Sequence, residues 1–206
     1  MSTPPDRRTR IVDTAIDLIA TQGLRALTHR ALDNALTLPA GSTSYYFRTK
    51  RALIEAIVDR IHARSRDDFA AMRRDLNAQL TPSHIARDIA RWLDDLLAHR
   101  RHHLIARHAL LVDLLGDSEL RRRLTNSLFS LGEARELFAA FGSRAPESDA
   151  ADFLAVLEGI LFDRYAGARR DAPTGTAGGI RQLEHIVAVY LMGWGERPIR
   201  MGLGNE

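Results

Sequence analysis

The sequence predicts an all-α fold of about nine helices, and three observations carry that reading. Apolar residues recur at helical spacing through nearly the whole chain, no alternating apolar and polar run sits between hairpin signals, and Gly or Pro punctuates the periodic stretches. The composition permits such a fold. A chain of 206 residues that is 45% hydrophobic buries a real core, and a charged fraction of 27% argues against disorder over most of its length.

Ile11, Ala15, Leu18 and Ile19 share one face of a first helix from about Arg7 to Gln22, which Gly23 closes as a C-terminal cap. Thr28 is placed to cap a short second helix with Ala31, Leu32 and Ala35 inward. Pro39 and Gly41 break the pattern before a third short segment that ends at Phe47. Thr49 then caps a fourth helix over residues 49–66, carrying Leu53, Ile54, Ile57, Val58 and Ile61.

Pro82 opens a helix with one stripe of Ile85, Ile89, Trp92, Leu93, Leu96 and Leu97. Residues 103–116 are apolar on most of their circumference, which predicts burial between other helices, and Gly116 ends the run. Leu120, Leu124, Leu128, Leu131, Phe138 and Phe141 keep the helical spacing. Residues 142–149 read as a loop, 150 to about 168 as a strongly apolar helix, 171–179 as a flexible connection, and Ile180 to Trp194 as the last helix.

Several function classes are excluded at once. Without cysteine there is no disulfide, thiolate metal site or Cys nucleophile, and such a chain fits a reducing compartment. No apolar run reaches the length of a membrane span, and MSTPPDRRTR lacks the apolar region of a secretory signal. The protein is expected to be soluble and cytoplasmic, with no membrane partner.

Charge is distributed unevenly. Residues 1–52 hold eight cations against four carboxylates, a net +4, so from the total of +3 the remaining chain is left at −1. A basic N-terminal quarter on a near-neutral body is the asymmetry of a nucleic-acid-binding module joined to something else, although an Arg-rich solvated face produces the same count.

Three short helices, the second and third separated by a turn, form a helix-turn-helix. Its third segment, AGSTSYYF, is too short and polar to stand alone. Small hydroxyls at Ser42, Thr43 and Ser44 suit phosphate oxygens or base edges, tyrosine offers a hydroxyl and a flat face, and Gly41 lets the backbone approach a duplex. Phe47 has no polar handle and reads as the plug that fixes this helix on the first.

These residues carry a resemblance. From Arg7 to about Ile61 the chain resembles the DNA-binding domain of the tetracycline-repressor (TetR) family of transcription regulators. RRTRIVDTAIDLIATQGLRALT matches the first helix and its exit, and LPAGSTSYYFRTKRAL is similar to the pattern Gly-Val-x-x-Gly-Thr-x-Tyr-x-His-Phe-x-Ser-Lys-x-x-Leu. Three positions depart from it: Thr37 stands where the turn usually has Gly, Ser44 where a backbone-contacting Tyr is usual, and Tyr46 where His precedes the Phe.

The resemblance implies an N-terminal helix-turn-helix domain, residues 1–52, and a C-terminal helical ligand-binding and dimerisation domain, residues 53–206, with the fourth helix as link. It implies a DNA-binding regulator, a repressor released from a palindromic operator by a small molecule. Thr28 is expected on phosphate through its hydroxyl and backbone, Ser42, Thr43 and Tyr45 in the major groove, and Tyr46 nearer the backbone. Lys50, the only lysine of the chain, is expected to pair with phosphate. With Ser44, whose contact Tyr45 or Tyr46 takes over, and with His29 and Arg30, this completes the candidate DNA-binding set.

One such domain reads too few base pairs for useful specificity, so a homodimer on a two-fold site is expected. Leu154, Leu157, Leu161, Val187, Tyr190, Leu191 and Trp194 have the spacing for the dimer surface, which in the family is a four-helix bundle, while some of them must face their own core. The family also implies an effector pocket in the second domain. Candidates are the large or polar groups inside apolar helices: Trp92, His108, Phe129, Glu158, Phe162 and Asp163.

The competing reading is a helical metal- or ligand-binding protein or an enzyme that uses the C-terminal domain. His99 and His103 lie one helical turn apart and would suit zinc if a single helix ran through both. No carboxylate completes an H-E-x-x-H pattern, and there is no phosphate loop, G-x-S-x-G elbow or paired-carboxylate spacing, so no catalytic residue, metal or cofactor is expected. A helical interaction protein without DNA is the third possibility.

Overall fold

A computed structural model describes the backbone of residues 6–75 and 81–195 and the side chains of 6–65 and 81–193. Ten α-helices and one 3-10 turn, and no strand, occur among the described residues. They are α1 (Arg7–Gln22), α2 (His29–Ala35), α3 (Ser42–Tyr46), α4 (Lys50–Asp75), α5 (Pro82–His99), α6 (Arg101–Asp113), α7 (Ser118–Leu128), α8 (Leu131–Ala140), α9 (Pro146–Tyr165) and α10 (Ala177–Gly195). None is long and apolar enough to cross a membrane.

The chain divides into two compact units, residues 1–74 with 99–154, and residues 75–98 with 155–206. The core of the first unit does not close around the N-terminal helices alone. Ile11, Ile16 and Ile19 of α1, Leu32 of α2, Phe47, and Leu53, Ile57 and Ile61 of α4 share it with Ala106 and Leu110 of α6, Leu114 just past its end, and Leu120 and Leu124 of α7. Apolar burial of this kind contributes about 1.5–3 kcal/mol per large side chain, so α6 and α7 supply part of the stability of the reading head.

Polar pairs fix the same helices in register. Arg60 on α4 makes a bidentate bond to Asp13 on α1, at 2.7 and 2.9 Å. Arg123 on α7 pairs with Asp59 on α4, and His102 on α6 lies 2.8 Å from Asp17 on α1.

Several elements differ from the sequence expectation. Helix α6 is not buried all round: Val112, and Leu115 just past its end, are exposed, while one inward position is taken by Arg107. That guanidinium is buried and donates from Nε to the Leu124 carbonyl (3.0 Å) and the Ser127 hydroxyl (3.2 Å), so a cation meets the carbonyl end of α7, where the helix dipole favours it. The loop expected over 142–149 ends early because Pro146 opens α9, a position where its missing N–H costs nothing, with Glu147 and Asp149 in the first turn.

In the second unit two buried charges of opposite sign hold one connection. The Asp94 carboxylate of α5 accepts from the Gly175 amide at 2.9 Å, and Arg164 of α9 donates to the Pro173 carbonyl at 2.8 Å and to Gln182 Oε1 at 3.0 Å. Thr176 accepts from the Gly179 amide at 3.1 Å, which starts α10 inside the segment expected to be wholly flexible.

Candidate nucleic-acid interface

The turn between α2 and α3 is built around Asp33. Helix α2 ends in a Schellman arrangement: the Leu38 amide bonds the Asp33 carbonyl (2.8 Å) and the Thr37 amide bonds the Asn34 carbonyl (3.1 Å). The motif demands a left-handed residue between the two donors, and Thr37 supplies it at φ 54°, the only positive φ at a non-glycine residue among the described residues. For a β-branched side chain this is a strained conformation.

From the same residue, the Asp33 carboxylate reaches forward to α3. Oδ2 accepts from the Gly41 amide and Oδ1 from the Thr43 amide, both at 2.8 Å. Asp33 is 3% exposed. Burial alone would raise its pKa, but the amides of Thr43 and Gly41 outweigh it and hold the carboxyl below the usual carboxylate range.

Thr43 corrects one expectation. Its side chain is fully buried and its hydroxyl donates to the His29 carbonyl at 3.0 Å, so it ties α3 to α2 and does not enter a groove. His29 is likewise half-buried, with its Nδ1 enclosed and without a hydrogen bond. The hydroxyls of Ser42 and Ser44 donate to the carbonyls of Pro39 (2.6 Å) and Gly41 (2.7 Å), which leaves their lone pairs to meet donors such as base amino groups.

The outward group of α3 is Tyr45, 78% exposed, its ring edge-on to Tyr46 at 5.5 Å. Tyr46 is half-buried against the core, and Phe47 is buried beneath the Arg8 guanidinium, 4.5 Å above its ring. Around Tyr45 in sequence stand exposed cations. Arg30 lies in the first turn of α2, Arg48 follows α3, and Lys50 is the first residue of α4, which Thr49 caps through the Ala52 amide at 3.0 Å. A cation at a helix N-terminus opposes the dipole, so Lys50 is not there for the helix. Thr28 caps α2 at 3.1 Å and stays exposed. Arg51, in contrast, is engaged by Glu55 (2.8 Å) and Asp117 (2.6 Å).

The other expected sites fare unevenly. Leu157, Leu161, Val187 and Leu191 are buried within the chain itself, because their phase on α9 and α10 turns them inward; Leu154 and Tyr190 are half-buried, and the Trp194 side chain lies outside the described residues. Among the described residues, the large apolar side chains exposed on these helices are Phe162, Val189 and Met192. Phe162 therefore does not line an interior pocket. Trp92 and Phe129 are buried, and His108, Glu158 and Asp163 half-buried. A cavity of about 190 Å³ in the second unit is lined by Gly159, Ile160, Asp163, Arg164, Arg169, Gln182, Leu183 and Ile186, which takes in Asp163 alone of the six.

His99 and His103 do not share a helix. The chain breaks at Arg100 (φ −126°, ψ 13°), and no group of three His, Asp or Glu able to hold a metal occurs among the described residues. Burial holds His103 below its ordinary pKa, against the pull of Asp13.

A short helix clamped by a buried carboxylate, presenting tyrosine among unengaged cations, defines a helix-turn-helix DNA-binding protein. Comparison with known proteins agrees: residues 11–57 match the family described as bacterial regulatory proteins, tetR family, and residues 80–189 match a tetracyclin repressor-like C-terminal domain. The chain belongs to the TetR family of transcriptional regulators.

Solved structures with the same fold include a TetR-family member from Streptomyces coelicolor A3, 26% identical over 88% of this chain and 98% of that one, with a TM-score of 0.64. The multidrug binding protein EbrR, complexed with ethidium, is 25% identical over 88% and 98% at a TM-score of 0.57, and it has also been solved with malachite green. A transcriptional regulator from Rhodococcus sp. Rha1 shares the fold at 17% identity, 91% and 95% coverage and a TM-score of 0.70. No curated protein matches the chain by sequence.

Proposed function

We propose that this regulator is a cytoplasmic repressor that grips a palindromic operator as a homodimer and releases it when a small molecule binds within residues 53–206. The exposure of Tyr45 on a helix otherwise locked by Asp33 and Thr43 carries the reading. It leaves one aromatic with a hydroxyl free to enter a groove, while Arg30 and Lys50 are exposed for phosphate and Thr28, whose oxygen caps α2, keeps its hydroxyl proton to donate to one.

Support for a dimer comes from α9 and α10. Phe162, Val189 and Met192 are exposed, and the exposed Ala155 and Gly159 precede Phe162 at helical spacing. A two-fold operator is the counterpart of such a pair. For release, the effector must bind the DNA-incompetent arrangement better than the competent one. Trp92, His108, Phe129, Glu158 and Asp163 remain the candidate contacts, and the ethidium and malachite green held by EbrR are the natural first probes.

The test is selection of random duplexes by the purified chain, followed by sedimentation and titration of both dyes against the bound complex. The reading requires an enriched palindrome, a dimer at micromolar concentration that Val189→Glu splits, and a ligand that releases the duplex. An unenriched pool bound by a monomer would overturn it.

A further inference from the structure

We infer that Asp33 is the positioning residue of the reading head: through both its main chain and its side chain it fixes α3, and with it Tyr45, at the angle DNA recognition needs. The inference rests on the DNA-binding reading above and adds a residue that the outward surface does not reveal.

The argument begins with α3 itself. At five residues it is far below the length at which a helix persists alone, so its direction is set by whatever holds its ends. Its N-cap is Gly41, at φ 87°, which offers no side-chain acceptor to the first-turn amides. Asp33 supplies that acceptor from α2, eight and ten residues earlier in the chain, at 2.8 Å to each of two amides. Its carbonyl meanwhile closes the end of α2 on the Leu38 amide. One residue thus determines where the turn starts and where the next helix begins.

Chemistry makes the arrangement selective for aspartate. A buried carboxylate is tolerated only where donors satisfy it, and both oxygens are used here. Asparagine offers one oxygen to two amides and turns its NH₂ group toward the other donor. Alanine leaves both amides without this acceptor, and the Thr43 amide is buried. Glutamate carries the carboxylate one methylene too far. Tyr45 lies two residues beyond Thr43, so a tilt of α3 passes directly into the displacement of its exposed ring.

The experiment compares the full-length wild type with Asp33→Ala, Asp33→Asn and Thr43→Val. It measures affinity for the selected duplex and for a random duplex, beside helicity and thermal midpoint. A positioning role predicts that Asp33→Ala and Asp33→Asn stay folded and dimeric yet lose at least about tenfold in affinity for the selected duplex, the scale of a lost base contact. Random-duplex affinity, set by phosphate contacts, should stay within about twofold. Thr43→Val keeps the amide bond to Asp33 and should lose less than either.

Equal losses on both duplexes, or losses that only track the unfolded fraction, would overturn the inference, as would an unchanged selected-site affinity. Failure of both Asp33 variants to fold would also overturn it by making Asp33 a folding determinant. A wild type that selects no duplex would instead count against the DNA-binding reading itself.

Discussion

The guanidinium of Arg51, in the first turn of α4, lies 2.6 Å from the carboxylate of Asp117, which in turn caps α7 by accepting from the Leu120 amide at 3.2 Å. Asp117 thus holds a helix end with one oxygen and the neighbour of Lys50 with the other. Asp117→Asn should lose the ion pair but keep a capping oxygen, while Asp117→Ala loses both. Urea midpoints should therefore order as wild type, then Asp117→Asn, then Asp117→Ala. Raising the salt should close the first gap and leave the second, since only the ion pair is screened. An Asp117→Ala midpoint equal to that of Asp117→Asn would refute the capping role.

Thr37 holds φ 54° because the bonds of Leu38 to Asp33 and of Thr37 to Asn34 impose a left-handed residue there. Left-handed backbone costs an ordinary residue about 1–2 kcal/mol, and glycine returns part of that gain through the greater freedom of its unfolded chain. Thr37→Gly should stabilise the protein by about 0.5–1 kcal/mol. Denaturant titration decides it, and a lowered midpoint would show that the threonine side chain does more than fill the position.

The pairing of Arg51 with Asp117 and the hold of Asp33 on α3 depend on contacts distant in sequence, and such contacts set the limit of what the sequence makes legible. Some helix starts are readable from local signals, the caps at Thr28 and Thr49 and the proline at Pro82, whereas the caps that Asp6, Asp117 and Ser130 place on their own helices are not picked out. The all-α class follows from apolar spacing; the outward placing of Tyr45 comes from the family resemblance, which places the buried Thr43 outward as well. Asp33 escaped notice because its partners lie eight and ten residues away, and nothing local separates a buried carboxylate from a solvated one. Thr43 was misplaced for the same reason. Phase was the other gap: an apolar helix such as α9 shows no clear face, so Leu157 and Leu161 could not be told from the exposed Phe162 before the packing was known.

Acid should weaken the reading head in a defined window. Burial would raise the Asp33 pKa, but the amides of Thr43 and Gly41 leave it lowered; at Asp117 the Leu120 amide and then Arg51 lower it. A depressed carboxylate contributes stability above its unfolded value of about 3.9, and that stability is lost as pH falls through the lower folded value. The urea midpoint should fall as pH drops from about 5 to 3, and the Asp33→Asn, Asp117→Asn double variant should show a shallower slope. Parallel slopes would remove both groups from the acid response.

Gly179 stands in the first turn of α10, where a Cβ would lie 2.5 Å from the Pro173 carbonyl oxygen and 3.3 Å from Asp94 Oδ1. Alanine normally improves a helix by about 1 kcal/mol over glycine. Here the obstacle is backbone held by Arg164, so the clash should dominate, and Gly179→Ala should destabilise by about 1–3 kcal/mol. Thermal unfolding with calorimetry checks it, and a stabilised variant would mean that the connection at 171–176 yields freely.

Tyr45 and Lys50 should separate two kinds of DNA contact. Tyr45 is exposed on the helix that Asp33 aims, with a ring suited to a thymine methyl or sugar, so Tyr45→Ala should weaken the selected duplex by about 1–3 kcal/mol and relax preference at one position. Lys50 is a cation at the start of α4, where the dipole disfavours it and a phosphate would welcome it. Lys50→Ala should weaken all duplexes alike and reduce the slope of log affinity against log salt by about one. The contrast between the variants is the test: if Lys50→Ala changed sequence preference and Tyr45→Ala changed the salt slope, the two residues would have to exchange roles.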